Sequence, residues 1–327
     1  MTAVSRVITV TPNPSIDLLF DADELVWDDA NRTAMPRRRA GGQGINVTRA
    51  VRALGGHSTA VALLGGRVGD EIAALLRAEE VPLRVAEARA ETRVFVAVRE
   101  RRTGRSLLLN PRGGTAGEEE QAALLTELRG ALRAELQEAA AAQESAPWVV
   151  SSGSVPPGFG EDFHARVCDV ALGMGARVVV DSDGPVLRAA AARCTLLVPN
   201  RHEAERLLGA AIRSMRDAGD AALALLRDGA AYAAITLGEE GAVLATRGES
   251  DVLFAQAPPA PAHASAVGAG DAFLAGLLLK LGVVDDGSAL RYAVACGTAV
   301  LHADGAALLR VQDVERLEPL TDMKKAG

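Results

Sequence analysis

In the middle of the chain, Trp148-Val149-Val150 leads through Ser152-Gly153-Ser154-Val155-Pro156-Pro157-Gly158 and a helical stretch over 161–173 to Val178-Val179-Val180. Short runs of aliphatic residues without polar alternation are the pattern of strands buried on both faces. Strand, loop, helix and strand make one βαβ unit. The same alternation extends outward. Strands are expected at Val7-Ile8-Thr9-Val10, Thr59-Ala60-Val61-Ala62-Leu63-Leu64, Leu196-Leu197-Val198 and Ala234-Ile235-Thr236-Leu237, with helices over 44–54, 70–79, 117–140, 201–208 and 219–228. Such alternation predicts an α/β fold with a doubly wound, mostly parallel sheet. Ligands of such sheets lie beyond the carboxyl ends of the strands, so functional motifs should follow strands.

Two stretches break this rhythm, 18–39 and 92–112. In the second, Val94-Phe95-Val96-Ala97-Val98 and Ser106-Leu107-Leu108-Leu109 flank Arg102-Thr103-Gly104-Arg105, a hairpin with a glycine turn. Together they are expected to form a small β-sheet standing off the core, as a lid over the crevice and a dimer surface, or a plain edge hairpin. The whole reads as one domain over 1–320, with a frayed tail over 321–327.

With 327 residues, 49% of them hydrophobic, the chain can bury a full core. Its formal net charge of −7 argues against nucleic acid as a partner. Lysine occurs only at 280, 324 and 325, so an anionic ligand would be held mainly by arginine. No Gly-Lys pair occurs, which excludes a Walker-type loop. Cys168, Cys194 and Cys296 are scattered in apolar surroundings and read as buried free thiols. None of the five histidines pairs at zinc-ligand spacing. There is no secretion signal and no apolar run of membrane-spanning length, so a cytoplasmic protein is expected.

The chemistry concentrates in Ala266-Val267-Gly268-Ala269-Gly270-Asp271-Ala272-Phe273. Gly268, Ala269 and Gly270 set a nest of backbone amides at the start of an apolar helix, where developing negative charge is stabilised. Asp271 stands on its rim, placed to accept a proton. Taken alone, the stretch reads more readily as a tight turn with an aspartate near a helix start, and it is the other motifs that favour the anion cradle.

Other motifs follow strands, as the crevice rule requires. Thr11-Pro12-Asn13-Pro14-Ser15-Ile16-Asp17 places Asp17 either on sugar hydroxyls or on its own turn. Ala40-Gly41-Gly42-Gln43-Gly44-Ile45-Asn46-Val47 lets a polar ligand approach Gly41 and Gly42, with Asn46 as donor and acceptor, but its spacing fails the dinucleotide fingerprint. Arg93 at the lid junction, and Arg32 in the first lid stretch, supply charges suited to a sugar phosphate. Ser154 lacks the nucleophile-elbow context and reads as a hydrogen-bonding residue. Asn200 and Glu203 suit a hydrated magnesium ion near nucleotide phosphates, and equally a helix capping box. Thr236, Gly238 and Gly241 offer a strand-end shelf for a nucleotide.

In this order, Asn13-Pro14-Ser15-Ile16-Asp17, Gly41-Gly42-Gln43-Gly44-Ile45-Asn46-Val47, Thr92-Arg93, Ser152-Gly153-Ser154-Val155-Pro156-Pro157-Gly158, Asn200 to Glu203 and Val267-Gly268-Ala269-Gly270-Asp271 resemble the ribokinase-type carbohydrate kinases. The branch most similar is the phosphofructokinase B group. The resemblance implies a ribokinase-like α/β domain with a small β lid used in dimerisation. It also implies magnesium-ATP as donor and a ketohexose monophosphate as acceptor, with a monovalent cation as a further candidate cofactor.

Carried over by position, Asp271 corresponds to the catalytic base, and Gly268, Ala269 and Gly270 to the anion hole. Asp17, Gly41, Gly42, Asn46, Arg93 and Ser154 correspond to sugar-phosphate contacts. Asn200 and Glu203 correspond to the magnesium-phosphate motif, and Thr236, Gly238 and Gly241 to the nucleotide strand. Four positions depart from the group's pattern. Gln43 and Val198 stand where lysine is common, His202 where another basic residue occurs, and Ala266 where threonine is usual. The motifs lean towards fructose 1-phosphate, with fructose 6-phosphate and tagatose 6-phosphate as alternatives. A nucleoside or unphosphorylated-sugar kinase, and a catalytically silent sugar-phosphate or nucleotide sensor, are competing readings.

Overall fold

In a computed structural model the described residues are 5–261, 266–302 and 309–325. The first half contains β1 (Arg6–Thr11), β2 (Ser15–Ala22), β3 (Arg37–Gly41), β4 (His57–Leu64), β5 (Leu83–Glu87), β6 (Arg93–Glu100) and β7 (Ser106–Leu109). The second contains β8 (Trp148–Ser152), β9 (Arg177–Asp181), β10 (Leu196–Leu197), β11 (Tyr232–Thr236), β12 (Gly241–Thr246), β13 (Leu253–Gln256) and β14 (Met323–Lys325). The helices are α1 (Gln43–Ala53), α2 (Gly66–Ala78), α3 (Glu118–Ala142), α4 (Phe163–Gly173), α5 (Gly184–Ala190), α6 (Arg201–Leu208), α7 (Met215–Leu225), α8 (Ala269–Lys280), α9 (Asp286–Leu301) and α10 (Val311–Leu317).

Ten strands form one sheet in the order β14-β13-β12-β11-β10-β9-β8-β1-β4-β5. From β5 to β11 every pairing is parallel, and β12 to β14 add an antiparallel edge. Pleating splits each central strand between two cores. Val178 and Val180 of β9 join the apolar layer under α3, α4 and α7, while Val179 faces the layer under α1, α8 and α9. That division is why these strands read as unbroken aliphatic runs. Cys168, Cys194 and Cys296 are buried free thiols.

The second sheet has the order β3-β2-β6-β7. Its central pair, β2 with β6, is parallel, and both outer pairings are antiparallel. Ile16 of β2 and Ala40 of β3 pack with Ile45, Ile72 and Leu76, rooting this sheet on α1 and α2.

Several boundaries differ from expectation for identifiable reasons. Helix α7 starts at Met215 rather than at 219, because Ser214 accepts from the Asp217 amide and Asp217 accepts from the Ser214 amide, a capping box. Helix α2 starts at Gly66, not at 70. The tail expected to fray instead contributes β14, paired with β13 and tied by Lys324 Nζ to Gln256 Oε1 at 3.0 Å. Among the described residues no helix is long and apolar enough to cross a membrane.

Candidate active site

The crevice lies beyond the carboxyl ends of β1, β8, β9, β10 and β11, and α8 points its N-terminus at it. Gly268 caps α8 with φ 88°, a conformation glycine adopts at little cost. Asp271, in the first turn, is only 7% exposed. Its Oδ2 accepts a 2.9 Å hydrogen bond from Asn46 Nδ2, which arrives from the first turn of α1. Burial pushes Asp271 up to about 7; Asn46 and the charge of Arg39 pull it down, and Asp17 pushes it further up. A carboxylate at this value is poised for proton transfer near neutral pH. The Ala269 amide donates to the Ala266 carbonyl at 3.1 Å. The amides of Gly270 and Asp271, in the first helical turn, are therefore the better-placed donors for an anion.

Asp17, 6% exposed, faces the same space from β2. A Cβ on Gly41 would come within 2.1 Å of Asp17 Oδ1, so only glycine leaves room for this carboxylate. Gly42 caps α1 beside it. Asp17 Oδ1 accepts from Ser15 Oγ at 2.7 Å, and Arg39 Nε lies 3.6 Å from Oδ2. Burial raises the Asp17 carboxyl, against the pull of Ser15, Arg39 and Arg93.

Arg93 opens β6 at the lid junction. Its Nε and Nη2 both donate to the Asn13 carbonyl, at 3.1 and 2.9 Å. Its Nη1 donates to the Pro111 carbonyl at 3.1 Å and to Asn110 Oδ1. Asn13 in turn donates through Nδ2 to Ser154 Oγ at 3.1 Å and to the Arg112 carbonyl at 2.9 Å. The loop carrying Ser154 is held from below by His164, which is fully buried. The Gly153 carbonyl can only accept, so His164 carries its proton on Nε2 (3.1 Å), and Nδ1 accepts from Ser151 Oγ at 2.7 Å. Burial lowers this histidine to about 4. A cavity of about 320 Å³ next to this loop is lined by Gln43, Ser154, Ser182, Asp183 and Glu203.

On the opposite side, Asn200 and Glu203 form the capping box of α6. Asn200 Oδ1 accepts from the Glu203 amide at 3.0 Å, and Glu203 Oε2 accepts from the Asn200 amide at 2.8 Å. Thr236 bridges to Asn200 at the end of β11, and Gly238 and Gly241 flank the turn into β12. Asp181, ending β9, is held well above the usual carboxylate range, first by burial and then by Asp271 and Glu203. This mutual repulsion among carboxylates suits a divalent cation. Among the described residues, however, no three metal-ligating side chains converge, so an ion here would be held largely through phosphate oxygens and water.

The sequence reading missed Asp181, Arg39 and the roles of Asn13 and His164. A strand-end position was available as a signal for Asp181. Arg32 is exposed in the β2–β3 connection. Val198 is buried in the core beneath α8, so it leaves no cation in place of lysine. His202 is exposed and bonded to Glu205 at 3.2 Å.

Residues 10–312 match the pfkB family carbohydrate kinases. The chain is 35% identical over 316 residues to ATP-dependent 6-phosphofructokinase isozyme 2 of Mycobacterium tuberculosis, covering 95% of this chain and 88% of that protein. It is 29% identical over 303 residues to 1-phosphofructokinase of Bacillus subtilis, covering 91% and 93%. Phosphofructokinase-2 from Escherichia coli in complex with fructose-6-phosphate superposes with a TM-score of 0.83 at 28% identity, covering 97% of this chain and 99% of that one. The same enzyme in complex with potassium gives 0.85 at 29% identity, with the same coverage.

Proposed function

The chain belongs to the pfkB family of carbohydrate kinases, and from that premise we propose that it transfers the γ-phosphoryl group of ATP to a hydroxyl of a ketohexose monophosphate, with fructose 6-phosphate preferred. It is a phosphotransferase of the phosphofructokinase type. Preference for the 6-phosphate, rather than the 1-phosphate towards which the motifs lean, is supported by the 35% identity to the mycobacterial enzyme. The observation that carries the mechanism is the buried Asp271, raised to about 7 beside the N-terminus of α8.

In this reading Asp17 accepts hydrogen bonds from acceptor hydroxyls, and Asp271, oriented by Asn46, takes the proton of the attacking one. The Gly270 and Asp271 amides face the charge that develops on the transferring group, where fixed dipoles cost no reorganisation. Asp181 and Glu203, with Asn200 beside them, would hold magnesium through water, and the ion would neutralise phosphate charge when bound. Thr236, Gly238 and Gly241 lie on the nucleotide side. The small sheet closes the acceptor side and limits hydrolysis. The potassium complex of the E. coli relative supports counting a monovalent cation among the cofactors.

The outer part of the lid exposes Trp27, Met35, Leu108 and Leu109, which are 76%, 90%, 51% and 52% exposed. We propose that a second copy of the chain packs on this sheet, since large apolar side chains this exposed favour an interface.

The test is ADP release with magnesium-ATP and, separately, fructose 6-phosphate, fructose 1-phosphate, tagatose 6-phosphate and unphosphorylated fructose. Fructose 6-phosphate should give the highest kcat/KM. A higher value for fructose 1-phosphate would overturn the substrate preference. Turnover of none of the phosphates would overturn the reading itself, and melting-temperature shifts with these ligands but no ADP would favour a silent sensor.

A further inference from the structure

Strands β8 and β9 run parallel and in register as far as Ser152 beside Asp181, and there they part. Gly153 takes φ 88°, a left-handed conformation that favours glycine, and leads the chain into the loop that carries Ser154. Beyond Asp181 the neighbouring chain continues through Ser182 to Asp183, which caps α5. In the kinase reading the two branches serve different reactants. Ser154 stands on the acceptor side, and Asp181 on the side of magnesium and the nucleotide phosphates.

In-line transfer requires these two sides to keep their separation closely, because a misplacement of about 1 Å can cost about 10²-fold in rate. Where the strands part, that separation rests on the bonds of a single residue. The Gly153 amide donates to the Asp181 carbonyl at 2.9 Å. The Gly153 carbonyl accepts from Ser182 Oγ at 3.1 Å and from His164 Nε2 at 3.1 Å. These two donors come from different places. His164 belongs to α4 and supports the loop from its own side, whereas Ser182 belongs to the chain leaving β9. The serine hydroxyl therefore carries the link between the strands one step past the end of their backbone pairing. Ser182 is 8% exposed and lines the cavity of about 320 Å³ together with Ser154 and Glu203, one from each side of the site. A hydroxyl has one proton to give, and here it goes to Gly153.

We propose that Ser182 is a positioning residue that holds the Ser154 loop in register with the end of β9, and so fixes the distance between the acceptor hydroxyl and the transferring phosphoryl group. The inference rests on the kinase reading above and deepens it. It gives the alignment of the two reactants to one side-chain bond at the point where β8 and β9 diverge.

The experiment measures kcat, KM for fructose 6-phosphate, KM for ATP and the melting temperature of wild type, Ser182→Ala and Ser182→Thr. Loss of the bridging hydroxyl should lower kcat about 3- to 10-fold in the alanine variant, the effect of one hydrogen bond. Each KM should stay within about 2-fold of wild type, because each half of the site is intact. Ser182→Thr keeps the hydroxyl and has the adjoining cavity for its methyl group, so its kcat should return towards wild type. An unchanged kcat in Ser182→Ala overturns the inference, and a lowered melting temperature beside it would make the serine purely structural. A rise confined to KM for the acceptor also overturns it, since Ser182 would then support the loop alone. So does a rise in KM for ATP, which would place the hydroxyl on the nucleotide, and so does a threonine variant as slow as the alanine one. A wild-type protein that turns over no sugar phosphate overturns the underlying kinase reading instead, a result the variants cannot mimic.

Discussion

Asn46 and Asp271, distant in sequence, meet across the crevice through a 2.9 Å bond from amide to carboxylate. The bond fixes one carboxylate oxygen and leaves the other for an acceptor hydroxyl. It also favours the ionised form, opposing the burial that raises Asp271 to about 7. Removing it in Asn46→Ala should move the acidic limb of the kcat/KM profile upward by about half a unit to one unit. A pH-rate series on both proteins reads this directly, and an unshifted limb would detach Asn46 from the base.

The same carboxyl links stability to pH. Its folded value, about 7, lies above the ordinary aspartate value of 3.8. The folded state therefore binds the proton more tightly, and this contribution is full below the unfolded value and lost as pH rises through about 7. Asp271→Asn removes the cost of a buried charge, so the variant should melt above wild type at pH 8 and much closer to it at pH 4. Thermal scans at both values check the sign.

His164 titrates in the opposite sense. Burial lowers it to about 4 from 6.5, so the stability it contributes is present above the unfolded value and lost as pH falls towards the folded one. His164→Leu leaves Ser151 Oγ without its partner and the Gly153 carbonyl with Ser182 Oγ as its remaining donor, and should cost about 2 kcal/mol. Because Gly153 precedes Ser154, KM for the acceptor should rise more than kcat falls. Equal effects on the ATP and acceptor KM values would make the histidine a purely structural element.

The lid surface is tested by oligomeric state. Trp27→Lys combined with Leu108→Lys should shift the protein to a smaller species in light scattering while the melting transition of the core persists. An unchanged mass would remove this face from the assembly.

The central strands were legible because β1, β8, β9 and β11 are covered on both faces and read as short, largely aliphatic runs. The antiparallel edge was not read, since Gly241-Ala242-Val243-Leu244-Ala245-Thr246 resembles any apolar run beside a glycine turn. Asp271, the glycines before it and the start of the Asn46 helix could be singled out in sequence because each is a local motif. Arg39 could not, because it stands in the run Arg37-Arg38-Arg39 and only strand register decides which guanidinium faces Asp17. Arg93 was legible as a charge at the junction, but not as a clasp whose partners come from Asn13, Asn110 and Pro111.

The most direct measurement of the central claim is the turnover of Asp271→Asn with magnesium-ATP and fructose 6-phosphate, alongside calorimetric binding of the sugar phosphate. The account predicts a fall in kcat of about 10²-fold or more with Kd changed only modestly, since the amide keeps the shape and loses the base. Turnover close to wild type would contradict it and move the proton acceptor elsewhere in the crevice.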